Sequence, residues 1–333
     1  MDPVTHLASG ALLAQAARGR FFPKARGFVP ACMLVAWLPD IDNLAVGEPG
    51  QYLLHHRGLT HSLVGGAGLA LLAGLTARLC SREYRLGRSC LLAYGLVLLH
   101  IFLDLVTSYG TQVLLPFSNA RLSLDAVFII DPFWTLAMLL FVLFSVKLPR
   151  KRTYFGLMGL AWILVYPLSN LGLGQSLENL YAARLAREQV RFESVRFLPD
   201  AFTPYFWKVV VQTPESYTVT TVTALDFTPR HPAETRPRAD RALLRRLGET
   251  APVFATFEWF SRFPSQERSI EGGRERIRFS DVRSLNTNPV MRALFGPERT
   301  GFALTAILDH EGRLAEYLLQ RRDSVRSFTP QAP

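Results

Sequence analysis

Residues able to bind a cation crowd the start of this 333-residue chain, where five of its seven histidines fall in the first 100 positions. They come as Thr5-His6, Pro39-Asp40-Ile41-Asp42, His55-His56-Arg57-Gly58-Leu59-Thr60-His61-Ser62, and His100 with Asp104. Imidazole and carboxylate together form the usual ligand set for zinc and similar divalent ions. The i, i+4 spacing of His100 and Asp104 puts both on one helical face, where they can share an ion or form a buried hydrogen-bonded pair. Asp40 and Asp42 read either as ligands or as solvated carboxylates at a helix end. Thr60 and Ser62 read as caps for the helix that follows. Arg57 can clamp a phosphate or carboxylate, or contact lipid headgroups.

These residues lie in or beside apolar segments, and mean hydropathy over the chain is +0.15. An ionisable group in such a setting is costly and marks a site by default. Six helical segments are expected, at about 5–17, 27–39, 61–79, 89–107, 126–146 and 153–173. The last two reach the ~20 residues a bilayer needs, and the first two are too short to cross alone. Asp131-Pro132 opens the fifth segment, with Asp131 either an N-cap or a ligand. Asp2 and His6 replace a basic leader, so no cleavable signal peptide is expected. Cys32, Cys80 and Cys90 have no CxxC spacing and read as packing residues.

Charge placement orders the segments. Residues 1–174 hold fourteen Lys and Arg. Twelve form three clusters: Arg18, Arg20, Lys24, Arg26; Arg78, Arg82, Arg85, Arg88; Lys147, Arg150, Lys151, Arg152. Clusters that separate apolar segments follow the positive-inside pattern of cytoplasmic loops, and a folded basic face for nucleic acid is not expected. At 1.5 Å per residue, His6 stands roughly 18 Å from Arg18 and Asp40 roughly 21 Å from Arg26. His61 stands roughly 25 Å from Arg78, and His100 roughly 18 Å from Arg88. Four segments thus deliver their candidate ligands at a similar height above one membrane face, which predicts a single site recessed into the outer leaflet.

Residues 175–193 read as a connecting helix. Residues 194–333 read as a small soluble α+β domain, mainly β and extracytoplasmic. Strands are expected at Tyr205–Gln212, Tyr217–Ala224, Arg274–Asp281 and Gly301–Leu308, and helices at Ala239–Leu247 and Val253–Phe260. His231 and His310 read as isolated surface residues. The fold class is therefore a polytopic α-helical membrane domain over 1–174, followed by this domain.

Together, Thr5-His6, the PDID segment, HHRGLTHS, His100-x-x-x-Asp104, the TSYGTQVLLPFS stretch and the IIDP that follows resemble the YdjM-type family of bacterial membrane-bound metal-dependent hydrolases. The resemblance covers most of residues 1–170. It implies an inner-membrane protein with hydrolase chemistry carried by His6, Asp40, Asp42, His56, Arg57, His61, His100 and Asp104. The order of ligands is also similar to that of zinc-dependent phospholipase C and single-strand nucleases. Those have a further helical HxxxE or HxxxD pair that this chain lacks, so one or two ions are expected rather than three.

The expected ligands are His6, Asp40, His61, His100 and Asp104, holding a divalent ion with zinc the first choice. Asp42 and His56 are expected as ligand, general base or supporting group, with Arg57 on the substrate. The expected substrate is a phosphoester or ester of a lipid-like molecule at the outer face of the bacterial inner membrane, with the bilayer itself as partner and no nucleic acid. The rival is a non-enzymatic membrane protein, an ion-binding transporter or a scaffold. A transporter should show inverted repeats or a second polar face, and neither is present in the sequence.

Overall fold

The computed structural model describes residues 1–19, 22, 27–45, 49–296, 302–321 and 324–330. Arg20, Lys24 and Arg26 of the first basic cluster lie outside them, as does Gly301. The chain forms two compact units. One comprises residues 1–46, 55–174 and 201–204, and the other residues 47–54, 175–200 and 205–333.

The first unit is helical. Helix α1 (Pro3–Ala17) starts where the Asp2 carboxylate accepts from Thr5 N and Pro3 occupies the first turn, a position where its missing N–H is no loss. Helix α2 (Phe28–Trp37) runs into a 3-10 turn at Leu38–Ile41 and the short α3 (Asp42–Ala45); the short α4 (Pro49–His55) that follows falls, except for His55, in the second unit. A second 3-10 turn, Leu59–His61, precedes α5 (Leu63–Cys80). Ser62 caps α5 by accepting from Gly65 N. Helix α6 (Leu86–Leu105) returns, followed by α7 (Pro132–Lys147) and the 36-residue α8 (Arg152–Arg187), of which residues 152–174 belong to this unit.

Among the described residues, three helical stretches are long and apolar enough to cross a bilayer: Leu63–Cys80, Leu86–Leu105 and Pro149–Arg187. Helix α7 begins later than the fifth apolar segment, because Asp131 accepts from Trp134 N and Pro132 fixes the first turn. Residues 126 and 127 instead donate their amides to Val106 O. With 16 residues, α7 is about 24 Å long, short of the ~30 Å hydrocarbon core.

Helix α1 is the buried centre of the unit. A Cβ at Gly10 would lie 2.7 Å from the Ala36 Cβ and 2.8 Å from Cys32 O, so the glycine lets α1 and α2 touch backbone to backbone. Gly156 and Gly159 of α8 give the same close approach to Ala16 and Leu12, the small-residue contact that packs helices in lipid. The outer faces are apolar: Leu71, Leu72 and Leu79 of α5, Leu136 and Leu140 of α7, and Leu164 and Leu168 of α8 are all exposed. Exposed apolar surface on this scale marks an interaction surface, and on helices of this length the matching solvent is lipid.

The second unit holds two antiparallel sheets. The first is β1 (Ser194–Pro199), β2 (Phe206–Gln212), β3 (Ser216–Thr223) and β4 (Glu234–Pro237), in that spatial order. Helices α9 (Arg241–Thr250) and α10 (Pro252–Phe260) follow. The second sheet is the meander β5 (Pro264–Glu271), β6 (Arg274–Asp281), β7 (Phe302–Leu308), β8 (Leu314–Arg321) and β9 (Ser324–Phe328), with α11 (Pro289–Phe295) between β6 and β7. Leu244, Phe254 and Phe257 pack with Ile277, Phe279 and Leu304 as one core.

Candidate metal centre

Five separate pieces of the first unit converge at one end of α6. His6 comes from α1, Asp40 from the Leu38–Ile41 turn, Asp42 from the start of α3, His56 and Arg57 from the loop after α4, His61 from the Leu59–His61 turn, and His100 and Asp104 from α6. All eight are buried, and His6, His61, His100 and Asp104 are wholly so. One ligand atom each from Asp40, His61, His100 and Asp104 falls within 4.8 Å of the others. His61 Nε2 is 3.1 Å from Asp104 Oδ2 and 3.5 Å from Asp40 Oδ1. His100 Nε2 is 3.6 Å from Asp104 Oδ2 and 3.8 Å from Asp40 Oδ1. His6 stacks on His100 with ring centres 3.7 Å apart, and its Nε2 is 3.5 Å from Asp104 Oδ1. Asp40, Asp42 and His56 form a second such group.

The outer atoms of the imidazoles decide what the inner ones can do. His100 Nδ1 is 2.7 Å from Ala36 O. A carbonyl only accepts, so that nitrogen carries the proton and Nε2 presents a lone pair. His61 Nδ1 faces Asp42 Oδ2 at 3.2 Å, which makes it the donor by the same argument. The two Nε2 atoms nevertheless stand 3.0 Å apart. Two lone pairs at that distance repel unless a cation or an extra proton lies between or beside them. Two imidazoles on one tetrahedral zinc, each bonded at about 2.1 Å, would hold their nitrogens about 3.4 Å apart. Among the described residues, both ring nitrogens of His6 are buried without a formal hydrogen bond, and His6 Nε2 is 3.5 Å from Asp104 Oδ1, although buried polar groups normally have a partner. The donor set of imidazole nitrogen and carboxylate oxygen fits zinc or a similar divalent ion.

Support around the cluster is dense. The Asp42 carboxylate meets His56 Nδ1 at 3.2 Å and accepts from Arg57 N at 3.0 Å and from the Thr60 hydroxyl at 3.2 Å. Burial raises the cost of its charge, but the bonds from His56 and His61 outweigh this and hold it below the usual carboxylate range. Burial pushes His56 the other way, towards the neutral imidazole, against the pull of Asp42. Such partners fix ring orientation and ligand basicity.

Arg57 is the main departure from expectation. Its side chain was expected to face a substrate anion, yet the residue is only 1% exposed. Its Nη2 is 2.8 Å from Asp104 Oδ1, while Nη1 donates to Asp104 O and to the Thr107 hydroxyl. The Met1 amino group also contacts Asp104 Oδ1. Arg57 has φ 59°, a left-handed conformation uncommon outside glycine. It is held there by its amide bond to Asp42 and by Gln112 N donating to its carbonyl. Arg57 therefore positions Asp104.

Sequence reasoning missed Thr107, Tyr109, Arg121 and the Ala36 carbonyl. Tyr109 lies between two guanidinium groups, 4.8 Å from Arg57 and 5.1 Å from Arg121. Arg121 donates to His56 O and Gly110 O. Thr107 and Tyr109 stood in the TSYGTQVLLPFS stretch that helped carry the resemblance and follow Asp104 within two helical turns, but no role was read from either. Asp131 stands apart from the cluster: it caps α7 and binds the Tyr166 hydroxyl at 3.0 Å.

A family profile described as YdjM inner membrane protein matches residues 1–173, the span that contains every residue of the cluster. The chain belongs to this family. It is also 29% identical over 139 residues to a Bacillus subtilis (strain 168) protein described as "Uncharacterized protein YfhP". The match covers 40% of this chain and 42% of that relative, so the chain spans under half of the relative's length. No solved structure matches.

Proposed function

We propose that this YdjM-family membrane protein is a metal-dependent hydrolase acting on a phosphoester or ester of a lipid-like substrate. The observation that carries the proposal is the paired convergence of the His61 and His100 Nε2 atoms on Asp40 and Asp104. The outer nitrogens are fixed by Asp42 and by Ala36 O. His61, His100, Asp40 and Asp104 would hold the ion, zinc being the first choice, with His6 beside them. When bound, such an ion lowers the pKa of a bound water to about 7 and so supplies hydroxide near neutral pH. His56, held towards the neutral imidazole by burial, would be the group to accept a proton there, with Asp42 orienting its ring. His61 lies two residues before α5. This nearness to the start of a candidate span supports a site close to the edge of the hydrocarbon layer, the depth of lipid ester and phosphate groups.

A second reading, an ion-binding protein without catalysis, is favoured by one observation: Arg57 is engaged with Asp104 and so does not face a substrate anion. Metal analysis and turnover separate the two. Detergent-purified protein should carry at least one zinc-like ion per chain, and His61→Ala and His100→Ala should each lose it. Full metal content in both variants removes the site assignment. Metal-loaded wild type should cleave bis(p-nitrophenyl) phosphate or a short-chain phospholipid. Retention of metal with no turnover of phosphoester or carboxyl-ester lipids establishes the non-catalytic reading.

A further inference from the structure

Apolar side chains on the segments either side of His61 and on the connection after Asp104 are exposed. Leu59, Leu63 and Val64 are 58%, 41% and 49% exposed, Leu114 is 43% and Phe117 is 85% exposed. Leu63 N donates to Val113 O at 3.0 Å, which joins the two segments into one rim, with Thr60 and His61 between its members. The sequence carries no Asp, Glu, Lys or Arg from residue 58 to 77 or from residue 106 to 120. Apolar surface left in water forgoes about 25 cal/mol per Å², and a contiguous patch of it marks an interaction surface.

The rim continues the outward face of α5, where Leu71, Leu72 and Leu75 are exposed. Helix α5 has 18 residues and is therefore about 27 Å long, slightly less than the ~30 Å hydrocarbon core. Residues 59–62 and the 114–117 loop extend the same uncharged surface beyond the helix. We infer that the rim formed by residues 59–64 and 114–117 is a membrane-contact surface seated in the lipid leaflet on the cluster's side, with Phe117 as its anchor. The connection after α6 then does not stand free in water. It dips about 5–10 Å into the boundary between headgroups and acyl chains, as apolar interfacial elements do. The inference stands on α5 crossing the membrane and does not depend on any bond being cleaved.

The test uses the full chain with Cys32, Cys80 and Cys90 replaced by alanine, in phospholipid nanodiscs. Phe117→Cys, Leu114→Cys and Leu72→Cys are each labelled with the fluorophore NBD, and metal content is checked to show an intact fold. Doxyl-labelled phospholipid should quench the labels at 117 and 114 to an extent comparable with 72 on α5. Labels at 117 and 114 that behave as free NBD-cysteine in water, with 72 quenched, overturn the inference. Loss of quenching at all three positions overturns it as well, by removing the span on which it stands.

Discussion

Arg57 shows how far a residue's type can mislead about its partner. An arginine beside three histidines and two aspartates suits a substrate phosphate, and the sequence contains nothing that pairs it instead with Asp104, 47 positions away. The pairing is tertiary, set by a left-handed residue whose amide and carbonyl are both tied down. Removing one partner of a buried ion pair leaves an uncompensated charge and costs about 3–5 kcal/mol. Arg57→Ala should therefore lower the unfolding temperature of the chelator-treated protein sharply. Arg57→Lys should recover only part, since an ammonium cannot reach Asp104 and Thr107 with two arms. Unfolding temperatures equal to wild type would return Arg57 to the substrate. The ligand candidates themselves were legible because His and Asp in apolar surroundings are conspicuous. The carbonyl of Ala36 was not, because a backbone acceptor has no signature in sequence.

At the scale of elements, the cluster depends on helices that approach more closely than side chains allow. His6 and Gly10 are one turn apart on α1, and Gly10 meets α2 at Ala36, the residue whose carbonyl fixes His100. Gly10→Val would force α1 away from α2 and disturb two candidate ligands together. Overpacking of this kind costs about 1–3 kcal/mol, and the loss should appear as reduced metal content in a folded, detergent-stable protein. Full metal content in Gly10→Val would show that the α1–α2 contact does not set the site. Long apolar helices were readable from hydropathy, and the β2–β3 hairpin and strand β6 from their alternation. The 3-10 turns that carry Asp40 and His61 were not readable, since three or four residues have no period of their own. Hydropathy alone carried the fifth segment back to about residue 126 because Val127-Phe-Ile-Ile is apolar enough for a helix, whereas Asp131-Pro132, read as its opening, is where α7 starts.

For the whole molecule, the arrangement of charge gives a direction to the membrane unit. Helix α5 runs from the cluster end to Arg78, α6 starts beside Arg85 and Arg88 and returns to His100 and Asp104, α7 ends at Lys147, and α8 starts at Arg152. Every described basic cluster is thus at the end of these helices away from the candidate ligands. The two ends differ in chemistry: one is cationic and water-seeking, the other apolar around a buried His/Asp centre. Cationic loops remain on the cytoplasmic side during insertion. By that rule the candidate metal centre, and separately the end of the chain, are expected to face away from the cytoplasm. A reporter that is active only outside the cytoplasm, fused after residue 333, should be active, and one fused at Lys151 should be silent. An active fusion at Lys151 with a silent one after residue 333 would invert the protein. The His/Asp centre would then open to the cytoplasm, where its substrates would have to come from the inner leaflet.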